Sequence, residues 1–282
     1  MMARRVLVAA TTLLTLGVLV AGVSVAWAGP PTRCEGPEGP ITIKGNVIAG
    51  PGCDLSSATV EGNVTVESGG SLKTEEGKET TITGNVQSNN ATEIVLLAGG
   101  ELGGNVQIQG ATGESVVEHG KVRRNITIQN SVASRLEVRD ESVGGNVQLM
   151  NNTGSGSRVH VVVVTSTVGG NVLVGNNTLT GTERNEVGAF EAETKGNLQV
   201  YNNSATGGSV ANEVFAEANQ VGVNLEVRNN TAEGPAESNN AVEVGGNTVR
   251  NVLQCQTNKP PPTDALEGEN HAKKKMGQCE LL

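Results

Sequence analysis

The chain has 282 residues with 20 Lys and Arg against 29 Asp and Glu, which gives a formal net charge of −9. A surface of this sign repels nucleic acid and anionic lipid, so the sequence predicts neither as a partner. Aromatic residues make up 1% of the chain, which excludes a globular core built around large rings. The abundant Gly, Asn, Val and Thr residues indicate short strands joined by tight turns instead.

Residues 1–28 have the order of a secretory signal peptide. Arg4 and Arg5 precede an uncharged apolar run, and alanines flank Trp27 where signal peptidase requires small side chains. We therefore predict cleavage after Ala28 and a secreted, extracellular protein that could associate with the cell surface. The apolar run is long enough to cross a bilayer, so the chain would be membrane-bound only if this segment stayed uncleaved.

A motif of Asn followed by alternating apolar and polar residues recurs along the chain. One copy is Gly196-Asn197-Leu198-Gln199-Val200, and a weaker first copy contains Asn46. We call the asparagines of the stronger copies, together with Asn46, the turn asparagines: Asn63, Asn85, Asn105, Asn125, Asn146, Asn171, Asn197 and Asn224. From Asn46 onward their spacings are 17, 22, 20, 20, 21, 25, 26 and 27 residues. A period in the twenties without a helical pattern predicts stacked coils of strands.

Each coil is predicted to contain three strands. After Asn197, the side chains of Leu198 and Val200 face the interior, whereas Gln199 and Tyr201 face solvent. A second strand follows, with inward positions such as those of Val187 and Ala189 or of Val214 and Ala216. A short apolar step such as Val221 then leads to the next turn asparagine. Successive coils should lie about 4.8 Å apart, the spacing of strands in a sheet.

The turn asparagines are predicted to form a ladder along the stack. Asn tolerates the left-handed conformation of a sharp turn, and its amide both donates and accepts hydrogen bonds. Each amide would therefore bond the amides of the coils above and below and keep buried polar groups satisfied. The pair Asn202-Asn203 is predicted to form another corner, and loops at one corner account for the drift in period.

This pattern resembles the right-handed parallel β-helix proteins, the pectate-lyase-like group in the broad sense, whose coils carry Asn at an inner turn. The resemblance covers roughly residues 46–258 and implies an all-β, right-handed parallel β-helix (β-solenoid) of about ten coils. The tail with Cys255, Pro260 to Pro262 and Cys279 is similar to the ends of uncharacterised secreted bacterial repeat proteins. We divide the chain into signal peptide (1–28), N-terminal cap and first coil (29–60), parallel β-helix (61–258) and C-terminal capping tail (259–282).

Four cysteines in an exported chain predict two disulfides. Cys34 and Cys53 fall in the first coil, and Cys255 and Cys279 fall at the last. A stack of about ten coils separates its ends by far more than the roughly 7 Å that bridged Cα atoms tolerate. We therefore predict the pairs Cys34–Cys53 and Cys255–Cys279, which would cap both ends. Val252 stands where the next turn asparagine would be, so the ladder should end there.

Candidate catalytic residues are few. The resemblance implies clustered Asp residues for pectin-degrading chemistry, but Asp54, Asp140 and Asp264 fall in the first coil, a middle coil and the tail. Glutamates are more frequent, and Glu191 with Glu193 or Glu213 with Glu217 would be candidate carboxylate pairs. A solvated outer face explains such alternating glutamates better. His119, His160 and His271 lack metal-ligand spacing. The sequence predicts no catalytic site, no metal and no cofactor.

The outward position of the first strand forms a mixed row along the stack. Its members are Thr65, Gln87, Gln107, Thr127, Gln148, Leu173, Gln199, Glu226 and Gln254. Tyr201 is the side chain predicted to offer an aromatic platform. We therefore predict a non-enzymatic β-solenoid with a structural or surface-interaction role, for which a cell-wall or extracellular glycan or a protein is the candidate partner. The alternatives are a carbohydrate-active enzyme or polysaccharide binder that uses outer glutamates, and an end-to-end polymer.

Overall fold

The computed structural model describes residues 30–97, 99–264 and 268–282. The predicted signal peptide, residues 1–28, lies outside this range. Within it every regular element is a β-strand, and nothing in it forms a helix long and apolar enough to span a membrane. The strands pair in parallel and form sheets of 21, 9 and 4 strands. The predicted all-β fold is confirmed as a parallel β-solenoid, with about nine coils where the repeats predicted about ten. The right-handed sense stays a prediction from the resemblance.

Three series of strands build the coils. The first series begins with Thr32–Cys34. Its other strands each follow a turn asparagine and comprise Val47–Ala49, Val64–Val66, Val86–Asn89, Val106–Gln109, Ile126–Gln129, Val147–Met150, Val172–Gly175, Leu198–Tyr201 and Leu225–Arg228. The nine-stranded sheet comprises Cys53–Asp54, Ser71–Thr74, Glu93–Leu97, Ser115–Glu118, Arg135–Arg139, Arg158–Val164, Arg184–Phe190, Ala211–Glu217 and Asn239–Gly245. The third series comprises Thr42–Ile43, Thr59–Val60, Thr81–Ile82, Glu101–Leu102, Lys121–Val122, Ser142–Val143, Thr167–Val168, Glu193–Thr194 and Gln220–Val221. The first and third series belong to the 21-stranded sheet, which Thr248–Gln256 and His271–Gly277 complete.

Coils beyond residue 151 contain a fourth strand. The strands Thr153–Gly154, Thr178–Leu179, Ser204–Thr206 and Thr231–Glu233 form the small sheet. The residues that lengthen the period are therefore not only a loop, as predicted, but also a separate wall of the solenoid. Leu179 and Ala205 from this wall are fully buried, so the longer coils enlarge the core as well as the perimeter.

Parallel register stacks like residues on one another inside the solenoid. Val147 pairs with Val172, which pairs with Leu198, and all three are fully buried. Burial of one Val or Leu side chain contributes roughly 1.5 to 3 kcal/mol, and the pattern repeats in every coil. Small aliphatic side chains fill the narrow interior, which is why the fold needs no large aromatic residue in its core.

Both ends carry the predicted disulfides, and the bridged Cα atoms are 5.2 Å apart for Cys34–Cys53 and 5.1 Å apart for Cys255–Cys279. Such bonds indicate an oxidising environment, typical of the extracellular space. The capping tail also supplies a strand, because His271–Gly277 pairs with Thr248–Gln256. Its Lys275 is paired with the buried Leu253, and its ammonium group contacts the carbonyl oxygen of Leu282. The aliphatic part of Lys275 therefore covers the last layer of the core.

Candidate functional site

The turn asparagines form a hydrogen-bonded column that we call the turn ladder. In each step the Nδ2 of one Asn donates to the Oδ1 of the Asn in the preceding coil at 2.9 to 3.2 Å. The backbone N–H of the same residue donates to that oxygen at 2.8 to 3.2 Å. The column ends where the N–H of Val252 donates to Asn224 at 3.2 Å.

Two expectations about this ladder are wrong. None of the turn asparagines has a positive φ, so they are not chosen for a left-handed turn. They are also not internal, since Asn63 is exposed and the others are half-buried. Their amides instead satisfy the backbone N–H groups at the bend of the 21-stranded sheet, because each Oδ1 accepts two hydrogen bonds. The ladder therefore has a structural role and leaves few amide groups free to bind a ligand.

A second column, the corner ladder, lies inside the solenoid. It comprises Asn152, Asn177, Asn203, Asn230 and Asn258, each at most 2% exposed. Each Nδ2 donates to the Oδ1 of the Asn in the next coil at 3.0 to 3.1 Å. The column ends where the Nδ2 of Asn258 donates to Gln278 Oε1 at 3.3 Å. The same Nδ2 atoms donate to carbonyl oxygens of core strands, as Asn203 does to Val174 at 2.9 Å. The pair Asn202-Asn203 is therefore a corner, as predicted, and also a buried ladder step.

The outward row of the first strand series lies in register, and Thr65 pairs with Gln87, Gln87 with Gln107 and so on to Gln254. Tyr201 on the same face is not an open platform. A Cβ at Gly175 would lie 2.5 Å from its ring, so the ring lies flat over that glycine. The guanidinium carbon of Arg228 is 4.9 Å from the ring centroid on the C-terminal side. The cavities on this face have volumes of about 370 to 420 Å³ and are lined mainly by side chains of the outward row and the turn ladder. The ring of Tyr201 is already covered.

A larger cavity, about 520 Å³ in volume, lies on the outer face of the nine-stranded sheet. We call it the outer groove. Its lining comprises Arg139, His160, Val162, Val164, Thr165, Glu186, Phe190, Glu191, Glu213, Phe215, Glu217 and Glu243. Apolar and acidic side chains thus share one concave surface, which is more charged than the mostly apolar lining of a typical small-molecule site.

Cross-strand register builds the groove floor. Val162 pairs with Gly188, Gly188 with Phe215 and Phe215 with Glu243, which places these four positions in one outward column. Position 188 requires glycine, because a Cβ there would lie 2.0 Å from the Phe215 carbonyl oxygen and 2.9 Å from its ring. The neighbouring column adds Val164 and Phe190. Two half-buried phenylalanines and two valines therefore form the apolar floor.

Two neighbouring carboxyl groups in the groove differ in protonation chemistry. Burial opposes ionisation of Glu186, but His160 Nδ1 and Arg184 Nη1 each lie 2.6 Å from its oxygens and hold its pKa below the usual range. Burial raises the pKa of Glu213, and the charges of Glu243 and Glu186 raise it further. Asn239 Nδ2 donates to Glu213 at 2.6 Å and acts in the opposite direction. Glu186 is therefore stabilised as a carboxylate, whereas ionisation of Glu213 is disfavoured.

Glu243 lies at the C-terminal end of the groove. It is 8% exposed and lines the cavity. Across the described ranges no hydrogen bond or ion pair reaches its carboxyl group. Glu217, 7% exposed, lies in the adjacent column. The groove therefore ends in two glutamate residues that are mostly buried.

The predicted glutamate pairs do not form. Glu191 is exposed beyond the end of one strand, whereas Glu193 belongs to the 21-stranded sheet. Glu213 and Glu217 lie four residues apart on one strand, about 13 Å along its length. Register instead places Glu213 beside Glu186. The aspartates stay apart, as predicted.

A further group of titratable side chains lies outside the groove. One ligand atom from each of Glu118, His119 and Asp140 lies within 4.8 Å of the other two. His119 was therefore not isolated in space, although it is isolated in sequence. Arg135 and Arg139 also approach the Glu118 carboxylate, to 3.5 and 3.8 Å. Ion pairing with these two guanidinium groups accounts for the Glu118 carboxylate of this cluster.

Sequence reasoning missed the groove although part of its signal was present. Phe190 and Phe215 each follow a residue predicted to face inward, so strict alternation would have placed both rings outside. His160, Glu186 and Glu243 carried no such local signal. Comparisons of the chain with protein-family models, curated proteins and solved structures find no match, so its function is inferred from its own geometry.

Proposed function

We propose that this protein is an exported, non-enzymatic β-solenoid with a surface-interaction role, and that the outer groove is its interaction site. The observation that carries this proposal is the apolar floor of Val162, Val164, Phe190 and Phe215 next to buried carboxyl groups. Export is supported by the signal-like residues 1–28 and by the two disulfides. The candidate partner is a cell-wall or extracellular glycan or protein.

The ladders support an interaction role because they fix the surface in advance. The corner ladder and the turn ladder tie consecutive coils together at two corners. The groove residues lie on strands of one parallel sheet rather than on loops. A partner that docks on such a preorganised face loses little free energy to ordering the site.

The test is a binding array of glycans, cell-wall preparations and extracellular proteins, probed with the oxidised protein. We expect at least one class to bind, and we expect Phe215→Ala to abolish that binding. Gln107→Ala, on the other outer face, is the matched control and should bind like wild type. The proposal fails if nothing binds, or if Gln107→Ala removes binding that Phe215→Ala leaves intact.

A carbohydrate-active enzyme is the second candidate, favoured by one observation. Glu186 and Glu213 are paired on adjacent strands and their pKa values shift in opposite directions, which is the usual relation between a general base or nucleophile and a general acid. The test is release of reducing ends from polysaccharides by wild type, Glu186→Gln and Glu213→Gln. If wild type releases reducing ends and neither variant does, the enzyme proposal replaces the non-enzymatic one.

A further inference from the structure

Charge on the outer face of the nine-stranded sheet changes along the solenoid axis. In the strand Arg135–Arg139, Glu137 forms ion pairs with both arginines. In the strand Arg184–Phe190, Glu186 is paired with Arg184 and with His160 of the preceding strand. The strands Ala211–Glu217 and Asn239–Gly245 contain no basic residue. Acid therefore accumulates at the C-terminal end of the groove, where the charge of Arg184 on the preceding strand acts on Glu213 but these two strands add no cation of their own.

The carboxyl groups at the acidic end lack a cation on their own strands. Glu243 is 8% exposed, and in the described part of the chain its carboxyl group has no hydrogen-bond or ion-pair partner. Glu213, one coil below it, receives a hydrogen bond from Asn239 but no ion pair among the same residues. A cation supplied from outside would form charge-assisted hydrogen bonds with these groups, so this end of the groove is complementary to positive charge.

The apolar floor restricts what kind of cation fits. Phe190 and Phe215 lie within one to two strands of Glu243, so a ligand that reaches the carboxyl groups also covers the rings. A lone metal ion would leave the rings uncovered. A neutral glycan would not neutralise the carboxyl groups, and an anionic one would be repelled by a chain of net charge −9.

We propose that the C-terminal end of the outer groove binds an extended basic segment of another protein, whose Lys or Arg side chains reach Glu213 and Glu243 while apolar side chains cover Phe190 and Phe215. This inference rests on the proposed interaction role of the groove. The floor crosses four strands, from Val162 to Glu243, or about 14 Å at strand spacing. That length matches four to five extended residues, at about 3.3 Å each.

The test measures binding of a fluorescent, end-blocked Leu-Ser-Lys-Ser-Lys peptide, whose Leu and Lys side chains share one face when extended, to the oxidised protein by anisotropy at low ionic strength. The same peptide with Gln in place of Lys is the ligand control. We expect Glu243→Gln and Glu213→Gln each to weaken binding about tenfold, and we expect added salt to weaken it further. Glu193→Gln, an exposed carboxylate on another face, should bind like wild type. Circular dichroism and thermal unfolding verify that each variant is folded.

Different outcomes separate this inference from the proposed function. Equal binding of the Lys and Gln peptides, or equal affinities for wild type and the folded Glu243→Gln and Glu213→Gln variants, would overturn the basic-segment inference. A neutral glycan that binds in the array and is lost in Phe215→Ala, with no Lys peptide bound, would overturn it while the interaction role survives. Failure of both the array and the peptide would overturn both proposals.

Discussion

The turn ladder runs from Asn46 to Asn224, and its asparagines are half-buried except for the exposed Asn63, whereas the corner ladder begins at Asn152 and its asparagines are at most 2% exposed. Before Asn152 the inner corner holds small residues: the N–H of Ala111 donates to Ser131 Oγ, and the N–H of Ser131 donates to Asn152 Oδ1. The corner column therefore becomes amide-based where the fourth strand enters. In the longer coils, core carbonyl groups at this corner accept hydrogen bonds from Asn amides, as Ile128 does from Asn152 and Leu149 does from Asn177.

One residue type therefore has two different energetic roles in this fold. At the turn ladder, water replaces a lost amide hydrogen bond at modest cost, because the site is half-exposed. At the corner ladder, removal of one amide leaves buried donors and acceptors without partners.

Glu141 should give the largest effect, although it lies in neither ladder. It belongs to a third buried column, in which the N–H of Glu141 donates to Ser166 Oγ and, further along, Asn219 donates to Asn247. Glu141 is 4% exposed, its Oε1 accepts a hydrogen bond from the Gly120 N–H at 2.9 Å, and its Oε2 has no partner within the described residues. Burial raises the pKa of Glu141 to about 8, and the charges of Glu118 and Asp140 act in the same direction. The folded state therefore favours the neutral acid.

The pH dependence follows from that shift. Relative to Gln, ionisation of Glu141 costs no stability below the unfolded-state pKa near 4.5. The cost grows as the pH rises to about 8. We expect Glu141→Gln to exceed wild type by roughly 3 to 5 kcal/mol in unfolding free energy at pH 9 and to match it within about 1 kcal/mol at pH 4. Urea unfolding at both pH values measures this, with Glu193→Gln as control. An equal difference at both pH values would contradict the assignment.

Asn203→Ala should be the costliest single change in the two ladders. Its Oδ1 accepts from the backbone N–H and the Nδ2 of Asn177, and its Nδ2 donates to Val174 and Asn230. Loss of these buried bonds should lower the unfolding free energy by about 3 kcal/mol. Denaturant unfolding of the oxidised variant measures the change. A loss below about 1 kcal/mol would show that water enters the corner.

Asn171→Ala is the matched change in the turn ladder. The Asn171 Oδ1 accepts from the backbone N–H and the Nδ2 of Asn197 in the same arrangement, but at a half-buried site. We expect a loss of about 1 kcal/mol under the same conditions. If Asn171→Ala costs as much as Asn203→Ala, exposure does not set the difference between the ladders.

Asn202 provides the smallest effect, because its main task is conformational. It is exposed and has a φ of 53°, a region in which Gly is unstrained. Asn202→Gly should change the unfolding free energy by less than about 0.5 kcal/mol, and Asn202→Ala should lower it by about 1 kcal/mol. Denaturant unfolding of the two variants measures which of them has the lower unfolding free energy. An equal loss for Gly and Ala would point to the Asn202 hydrogen bonds with Asn176 and Asn229 instead, because both variants remove them.

Much of the fold was readable because its information is local and repeated. The copy around Asn197 predicted the inward Leu198 and Val200, and both are fully buried. The disulfides followed because any stack keeps Cys34 and Cys255 far apart. Asn203 was harder, since two adjacent asparagines look equivalent until the positive φ of Asn202 turns the second one inward.

The groove depends on information that the local pattern does not contain. Phe215 lies over Gly188 because strands 27 residues apart in sequence pair in that register. Loop lengths set that register, and they vary from coil to coil. The ionisation behaviour of Glu186 and Glu213 depends on the same pairing, so single-strand alternation described both only as outer glutamates.

The opposite directions of the two ladders have an electrostatic consequence. Donors in the turn ladder lie C-terminal to their acceptors, whereas donors in the corner ladder lie N-terminal to theirs, and backbone N–H groups that share the same oxygens fix both senses. A single column of aligned amides would sum its dipoles along the axis, as a helix does. Columns of both senses are present from Asn152 onward, because the steps at Asn202 share the turn sense and those at Asn185 and Asn219 share the corner sense. Their dipoles therefore partly offset one another along the axis.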